Sequence, residues 1–231
     1  MRITIHQPEH LPWLGLLAKV AASDLWVVLD SVPYRKNYFQ NRNRVLVDGE
    51  QTWLTVPINA SSGTLISDVR VSDTPRWQRR YVGRLVQSAP AAAREGRLEP
   101  ALATLESTSA GTSLVDLNLE LTGWLFSEFT VTTPQVLASE LGASGHKSEL
   151  IRNLCLAAGA DEYVAGPSGR DYLDLTDFAD HGIKVLFFDF EHPTYDQGGP
   201  FVPYLSAVDA WSRLLPRQLP QLLSTYRLSV S

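Results

Sequence analysis

Two β-prone runs, Ile3-Thr4-Ile5 and Leu25-Trp26-Val27-Val28-Leu29, bracket a stretch with room for one short helix. Pro12 stands where a first helical position is expected. Residues 13–22 then carry Leu14, Leu17 and Val20 on one helical face, with Leu16 beside it. Ser23-Asp24 ends the helix. Strand, helix and strand joined this tightly make a βαβ unit, which requires a parallel sheet and a right-handed crossover. Ligands of such sheets bind beyond the carboxyl ends of the strands. His6, in the segment His6-Gln7-Pro8, and Asp30 both stand at such ends.

The remaining pattern extends this start. Residues 31–44 form a polar loop, and Val45-Leu46-Val47 and Trp53-Leu54-Thr55-Val56 form a hairpin about the turn pair Asp48-Gly49. A Ser/Gly link over 58–64 leads to a short strand near 69–71. From about 75 to 130 helical spacing prevails, with Trp77, Tyr81, Leu85 and Val86, then Leu114, Leu117, Leu121 and Leu125, as core stripes. Strands return at 135–138, 163–165 and 185–188. Helices are expected at 147–158, where Gly159 can close the last turn, and at 206–215. The expected fold is α/β, a mostly parallel sheet of βαβ units with a β-hairpin and a helical insertion at about 75–130, in one domain over residues 1–231.

Charge narrows the function. The net charge of −5 argues against a generic nucleic-acid binder, which would present a broad basic face. Cys155 is the only cysteine, so no intramolecular disulfide or cysteine-rich metal site can form, and its place in an apolar helix pattern marks it as buried rather than nucleophilic. No apolar run reaches the length of a membrane span, and a cytoplasmic protein is expected.

Several stretches carry side chains suited to chemistry. His6 can act as a general base near neutral pH or donate to a phosphate oxygen, with His10 close by. Residues 35–44 gather Arg35, Lys36, Arg42 and Arg44 with Asn37, Gln40, Asn41 and Asn43, a set suited to phosphate or carboxylate oxygens. Lys147 and Ser148 open a helix whose free N–H groups favour anions, without the glycine spacing of a P-loop. Gly166-Pro167-Ser168-Gly169 permits close backbone approach but lacks the spacing of a nucleophile elbow. His192 stands between Asp189, Glu191 and Asp196 and is a second candidate base. No histidine or carboxylate spacing indicates a metal, and no motif names a cofactor.

Taken together and in order, these stretches resemble the WbqC-like family. The match runs through His6-Gln7-Pro8 with Leu11-Pro12-Trp13-Leu14-Gly15, Asp30-Ser31-Val32, Lys36-Asn37 with Gln40-Asn41-Arg42, and Trp53-Leu54-Thr55-Val56-Pro57. It continues through Lys147-Ser148, residues 160–163 and 166–172, and Tyr195 with Gln197. The resemblance implies a place in O-antigen and other sugar-containing biosynthesis. It implies a transferase that attaches an aminoacyl group, glycyl among them, to the amine of an amino sugar. By its place at a strand end Asp30 joins His6 and His192 as a catalytic candidate, and Gln7, Ser168, Tyr172, Tyr195 and Gln197 are expected to contact substrate. After Ser206 the family runs Asp-Leu-Leu-Phe-Asn, where this chain has Asp209-Ala210-Trp211-Ser212-Arg213.

A fainter similarity links the strand, His6-x-x-x-His10 and helix to nucleotidylyltransferase and class I synthetase (HUP-like) folds, with Lys147-Ser148-x-x-x-Arg152 like their late Lys/Ser signal. Three functions follow as expectations. The first is aminoacyl transfer to an amino-sugar or nucleotide-sugar acceptor from an adenylate, carrier-protein thioester or charged tRNA. The second is nucleotidyl transfer that activates a substrate, and the third is non-catalytic sugar-nucleotide binding. In each, the tip of the first strand and the cationic turn should share one pocket.

Overall fold

A computed structural model describes residues 1–230. The first unit forms as its sequence directs. β1 (Arg2–His6) and β2 (Leu25–Val28) pair in parallel, His6 opposite Val28, and α1 (Leu14–Ala21) crosses between them. The hairpin follows as β3 (Arg42–Val47) and β4 (Glu50–Thr55), turning on Asp48 and Gly49, both at positive φ as a two-residue turn of this kind demands. Arg42 and Arg44 therefore lie on a strand, not in the loop where the sequence pattern put them.

The two-residue strands β5 (Ile58–Asn59) and β6 (Arg70–Val71) pair next, and four helices follow: α2 (Trp77–Ser88), α3 (Pro90–Arg94), α4 (Glu99–Ser107) and α5 (Leu114–Glu128). Ser113 caps α5 by accepting from the Asp116 N–H. The α/β order then resumes with β7 (Gln135–Leu137), α6 (Ser148–Ala157), β8 (Glu162–Ala165), α7 (Leu175–Asp180), β9 (Lys184–Phe190), α8 (Ala207–Arg213) and β10 (Tyr226–Val230).

The main sheet runs β7-β2-β1-β8-β9-β10, parallel except for β10, which is antiparallel to β9. Numbered by their order in the chain, these six strands read 3-2-1-4-5-6. The chain builds outward from β1 in one direction, then returns to β8 on its other side. Neighbouring connections on the two sides must therefore leave on opposite faces to keep one hand. Alternate strand residues sort accordingly. Ile3, Ile5, Val27 and Phe187 pack with Leu150, Ile151, Leu154 and Cys155 of α6 and Phe178 of α7. Trp26, Val28, Val164 and Phe188 pack with Leu14 and Leu17 of α1, Leu121 of α5 and Trp211 of α8. Each leucine fully buried in these layers contributes about 1.5–3 kcal/mol.

The reversal of strand order falls between β1 and β8. There the two outgoing connections part, leaving a crevice at the carboxyl ends of those strands.

Candidate functional site

A cavity of about 310 Å³ occupies that crevice. Its walls include His6 at the end of β1, Lys19 from α1, Ser168 and Tyr172 from the turn after β8, and Trp13 and Tyr204. Two glycines make the shape possible. A Cβ on Gly15 would stand 2.1 Å from the Trp13 ring, so only glycine lets the indole fold over the first turn of α1. A Cβ on Gly169 would meet Leu173 at 3.0 Å and Ala165 at 3.1 Å, so the turn after β8 lies close enough to the sheet that any side chain there would push its neighbours back by a few tenths of an ångström.

Three titratable groups meet at the inner end. The His6 Nδ1–H donates to the Gln7 carbonyl at 2.9 Å, which fixes the tautomer and leaves the Nε2 lone pair free. The imidazole is held neutral, its pKa lowered to about 3 by burial first and the Lys19 charge second. Glu9 Oε1 lies 3.9 Å from His6 Nε2, and Glu9 Oε2 is buried without a hydrogen-bond partner among the described residues. Burial raises the Glu9 pKa to about 7 against the opposing pull of Lys19. Lys19 is 6% exposed, and its pKa falls to about 8 through burial, which outweighs the attraction of Glu9. Such displaced values concentrate where proton transfer is carried out.

His10, one turn of chain beyond, is fully enclosed. Asn118 donates to the carbonyls of Pro8 at 3.3 Å and Gln40 at 2.7 Å, so its Oδ1 accepts from His10 Nδ1–H at 2.9 Å. The Tyr81 hydroxyl donates to Nε2. The His-x-x-x-His reading of a phosphate site thus meets a histidine sealed in the polar core. Leu11 beside it sits at φ 42, in the left-handed region, and Asn43 braces the turn by donating to the carbonyls of His10 at 3.2 Å and Leu11 at 2.9 Å.

The expected shared pocket is divided. Lys36, Asn37 and Arg42 line a different cavity, which has no lining residue in common with the crevice. Hydrogen bonds tie the loop to the segment after β1: Gln40 Nε2 donates to Gln7 Oε1 at 2.7 Å, the His10 N–H donates to the Phe39 carbonyl at 2.9 Å, and Gln40 Oε1 accepts from the Arg35 N–H. The amide density of residues 37–43 is mostly scaffolding. Gln40 and Asn43 are buried, and Asn41, at the edge of the second cavity, spends its amide on the Tyr34 hydroxyl and the Val56 carbonyl. Arg44 reaches outward to Gln51 and the Tyr204 carbonyl.

The other expected residues fall elsewhere. Asp30, read as catalytic, is buried and accepts from the Ser139 N–H at 2.9 Å and hydroxyl at 2.6 Å, tying the end of β2 to the segment after β7. Tyr195 and Gln197, read as substrate contacts, both donate to Asp209 Oδ2 at 2.9 Å, while Arg213 holds Oδ1. They clamp α8, and the retained Asp209 is the centre of that clamp. The Ser148 hydroxyl accepts from the Asp174 N–H at 2.8 Å, which ties the start of α6 to the start of α7, and Lys147, at φ 50, precedes it on the surface; neither residue lines the crevice. Asp189 pairs with Arg170 at 3.0 Å, not with His192. His192 borders the crevice, with its ring edge-on to Tyr204 at 5.5 Å and to Phe190 at 5.9 Å, and burial lowers its pKa. Cys155 is buried as expected, its thiol pushed up to about 12.

Glu9 and Lys19 escaped the sequence reading, although Lys19 left a trace. α1 reads LGLLAKVA with every residue from Leu14 to Val20 buried, and a lone cation on a helix with no polar face must serve a pocket. Among the described residues no group of three or more His, Cys, Asp or Glu side chains gathers as metal ligands. No helix among the described residues is long and apolar enough to cross a membrane.

A sheet of this order with acid–base groups gathered at its reversal defines an α/β protein with a switch-point pocket. The chain belongs to the WbqC-like protein family, whose match covers residues 7–219. It is 30% identical over 212 residues to "Uncharacterized protein Rv1507c" of Mycobacterium tuberculosis (strain ATCC 25618 / H37Rv), covering 90% of this chain and 91% of that protein. No solved structure matches it.

Proposed function

We propose that the chain is a transferase that moves an aminoacyl group, glycyl among them, onto the amine of an amino sugar. The observation that carries this reading is the free Nε2 of a neutral His6 in the crevice wall. As the amine attacks, its nitrogen bonds to the acyl carbon, the bond from that carbon to the leaving group breaks, and the amine proton passes to His6 Nε2. Glu9 Oε1, 3.9 Å from that same nitrogen, stabilises the imidazolium that forms, while the Gln7 carbonyl holds Nδ1–H on the other side of the ring. Lys19 supplies positive charge for the oxygen that becomes anionic in the tetrahedral intermediate. Trp13, Tyr172 and Tyr204 offer flat apolar faces to a sugar ring.

The test is His6→Ala in a reconstituted acylation assay with amino-sugar acceptors. Turnover should fall at least a hundredfold, and unchanged turnover removes His6 from the mechanism. A second reading, nucleotidyl transfer that activates an amino acid, draws support from the 3-2-1-4-5-6 strand order, whose reversal point also suits nucleotides. ATP–pyrophosphate exchange over a panel of amino acids separates the two, since it is absent under simple transfer.

A further inference from the structure

We propose that the cavity of about 800 Å³ flanked by Lys36 and Arg42 is a second ligand site, one that takes a phosphate-bearing molecule. The site stands independently of the transferase reading. In a chain of net charge −5 its lining carries two cations and no carboxylate. Lys36 is exposed and makes no ion pair or hydrogen bond among the described residues. Arg42 is set in place beforehand. Its guanidinium lies 4.2 Å over the Trp53 ring, one nitrogen donates to the Asn37 carbonyl at 2.6 Å, and its Nε is buried with no partner among the described residues.

A guanidinium held this way loses little freedom on binding and keeps donors for an oxyanion. The volume falls in the range of small-molecule sites. Two cations with no carboxylate in the same lining favour a ligand that carries about two negative charges. A diphosphate provides them, and the single carboxylate of an amino acid does not. Because the crevice shares no lining residue with this cavity, an occupant of one leaves the other open.

Calorimetric titration of the chain with inorganic pyrophosphate and, separately, with uridine diphosphate tests the proposal. Both should bind, more weakly as salt rises. Lys36→Glu and Arg42→Gln should each weaken both ligands about tenfold or more, while Lys19→Ala in the crevice changes neither. Equal affinities show recognition of phosphate alone, and tighter uridine diphosphate adds the nucleoside to the ligand; either supports the site. Absence of binding, binding that survives both the Lys36 and the Arg42 variants, or binding lost with Lys19→Ala overturns it. Lys36 is exposed and unpaired, so its variant tests the site without disturbing the fold. No turnover is needed, so this result and the acylation result stand or fall separately.

Discussion

His6 and His10 stand four residues apart, both held neutral by burial, yet they live in opposite surroundings. Around His10 every polar group is matched: Asn118 and Tyr81 satisfy both ring nitrogens, and Asn118 closes on two carbonyls. Around His6 the matching is left incomplete, with a free Nε2, an unpartnered Glu9 oxygen and a Lys19 amine without a hydrogen bond among the described residues. A satisfied network specifies the fold, whereas an unsatisfied one carries a free-energy cost that a bound substrate can relieve. Burial alone does not tell the two apart. The hydrogen bonds do.

Exchanging the two histidines' fates would break this contrast most sharply. His6→Ala should lower turnover at least ~100-fold and leave the urea midpoint almost unmoved. His10→Ala should cost about 2–4 kcal/mol of stability, by stranding Asn118 and Tyr81, yet keep turnover per folded molecule near normal. If the two variants behave alike, the distinction is void. Gly15→Ala comes next. It drives the Trp13 indole out of the crevice wall, and the expected result is an acceptor KM raised about tenfold with kcat nearly kept, roughly 1.4 kcal/mol of binding. Lys19→Met should stabilise the chain by about 1 kcal/mol in a denaturant melt while lowering turnover, because a buried cation without a hydrogen bond opposes folding.

A pH series sharpens the same contrast. The folded pKa values of His6 and His10, about 3 and about 4, lie below their ordinary 6.5. Their contribution to stability is therefore complete above about pH 6.5 and is lost as pH falls toward those values. Glu9 runs the other way. Its folded pKa of about 7 exceeds the ordinary 4.5, so its contribution is complete below pH 4.5 and is lost as pH rises through 7. Glu9→Gln removes that opposing slope, and its stability should climb more steeply between pH 4.5 and 7 than that of the unaltered chain. Equal slopes would show that Glu9 does not titrate in the crevice.

Much of the fold was legible because the βαβ start writes itself in short apolar runs and a proline-opened helix. The sheet's parallel character, the hairpin turn at Asp48-Gly49 and the leucine stripe of α5 followed from spacing alone. β10 was not legible: Tyr226–Val230 is a half-exposed edge strand whose Arg and Ser blur the apolar alternation, and only its antiparallel partner β9 makes it a strand.

The site was legible in part. Strand-end logic pointed to His6, and His6 lines the crevice. That logic also pointed to Asp30, whose carboxylate is consumed by Ser139. Sequence counts donors but cannot say where they are spent, so Gln40, Tyr195 and Gln197 looked like ligand contacts and hold the scaffold together. Lys19 was overlooked because a single lysine in a short apolar helix passes for a solvated end, until α1 is seen to have no solvated face.

Nitrogen-resolved NMR titration of the lysine side chains offers the most direct view of the crevice. The chain has four lysines, Lys19, Lys36, Lys147 and Lys184, so the signals can be assigned by single substitutions. The Lys19 amine should titrate near pH 8, well below its ordinary 10.5, and move upward when Trp13→Ala lets water in. A Lys19 midpoint at the ordinary value would mean that this amine is solvated, and the poised acid–base cluster at the reversal of the sheet would not exist.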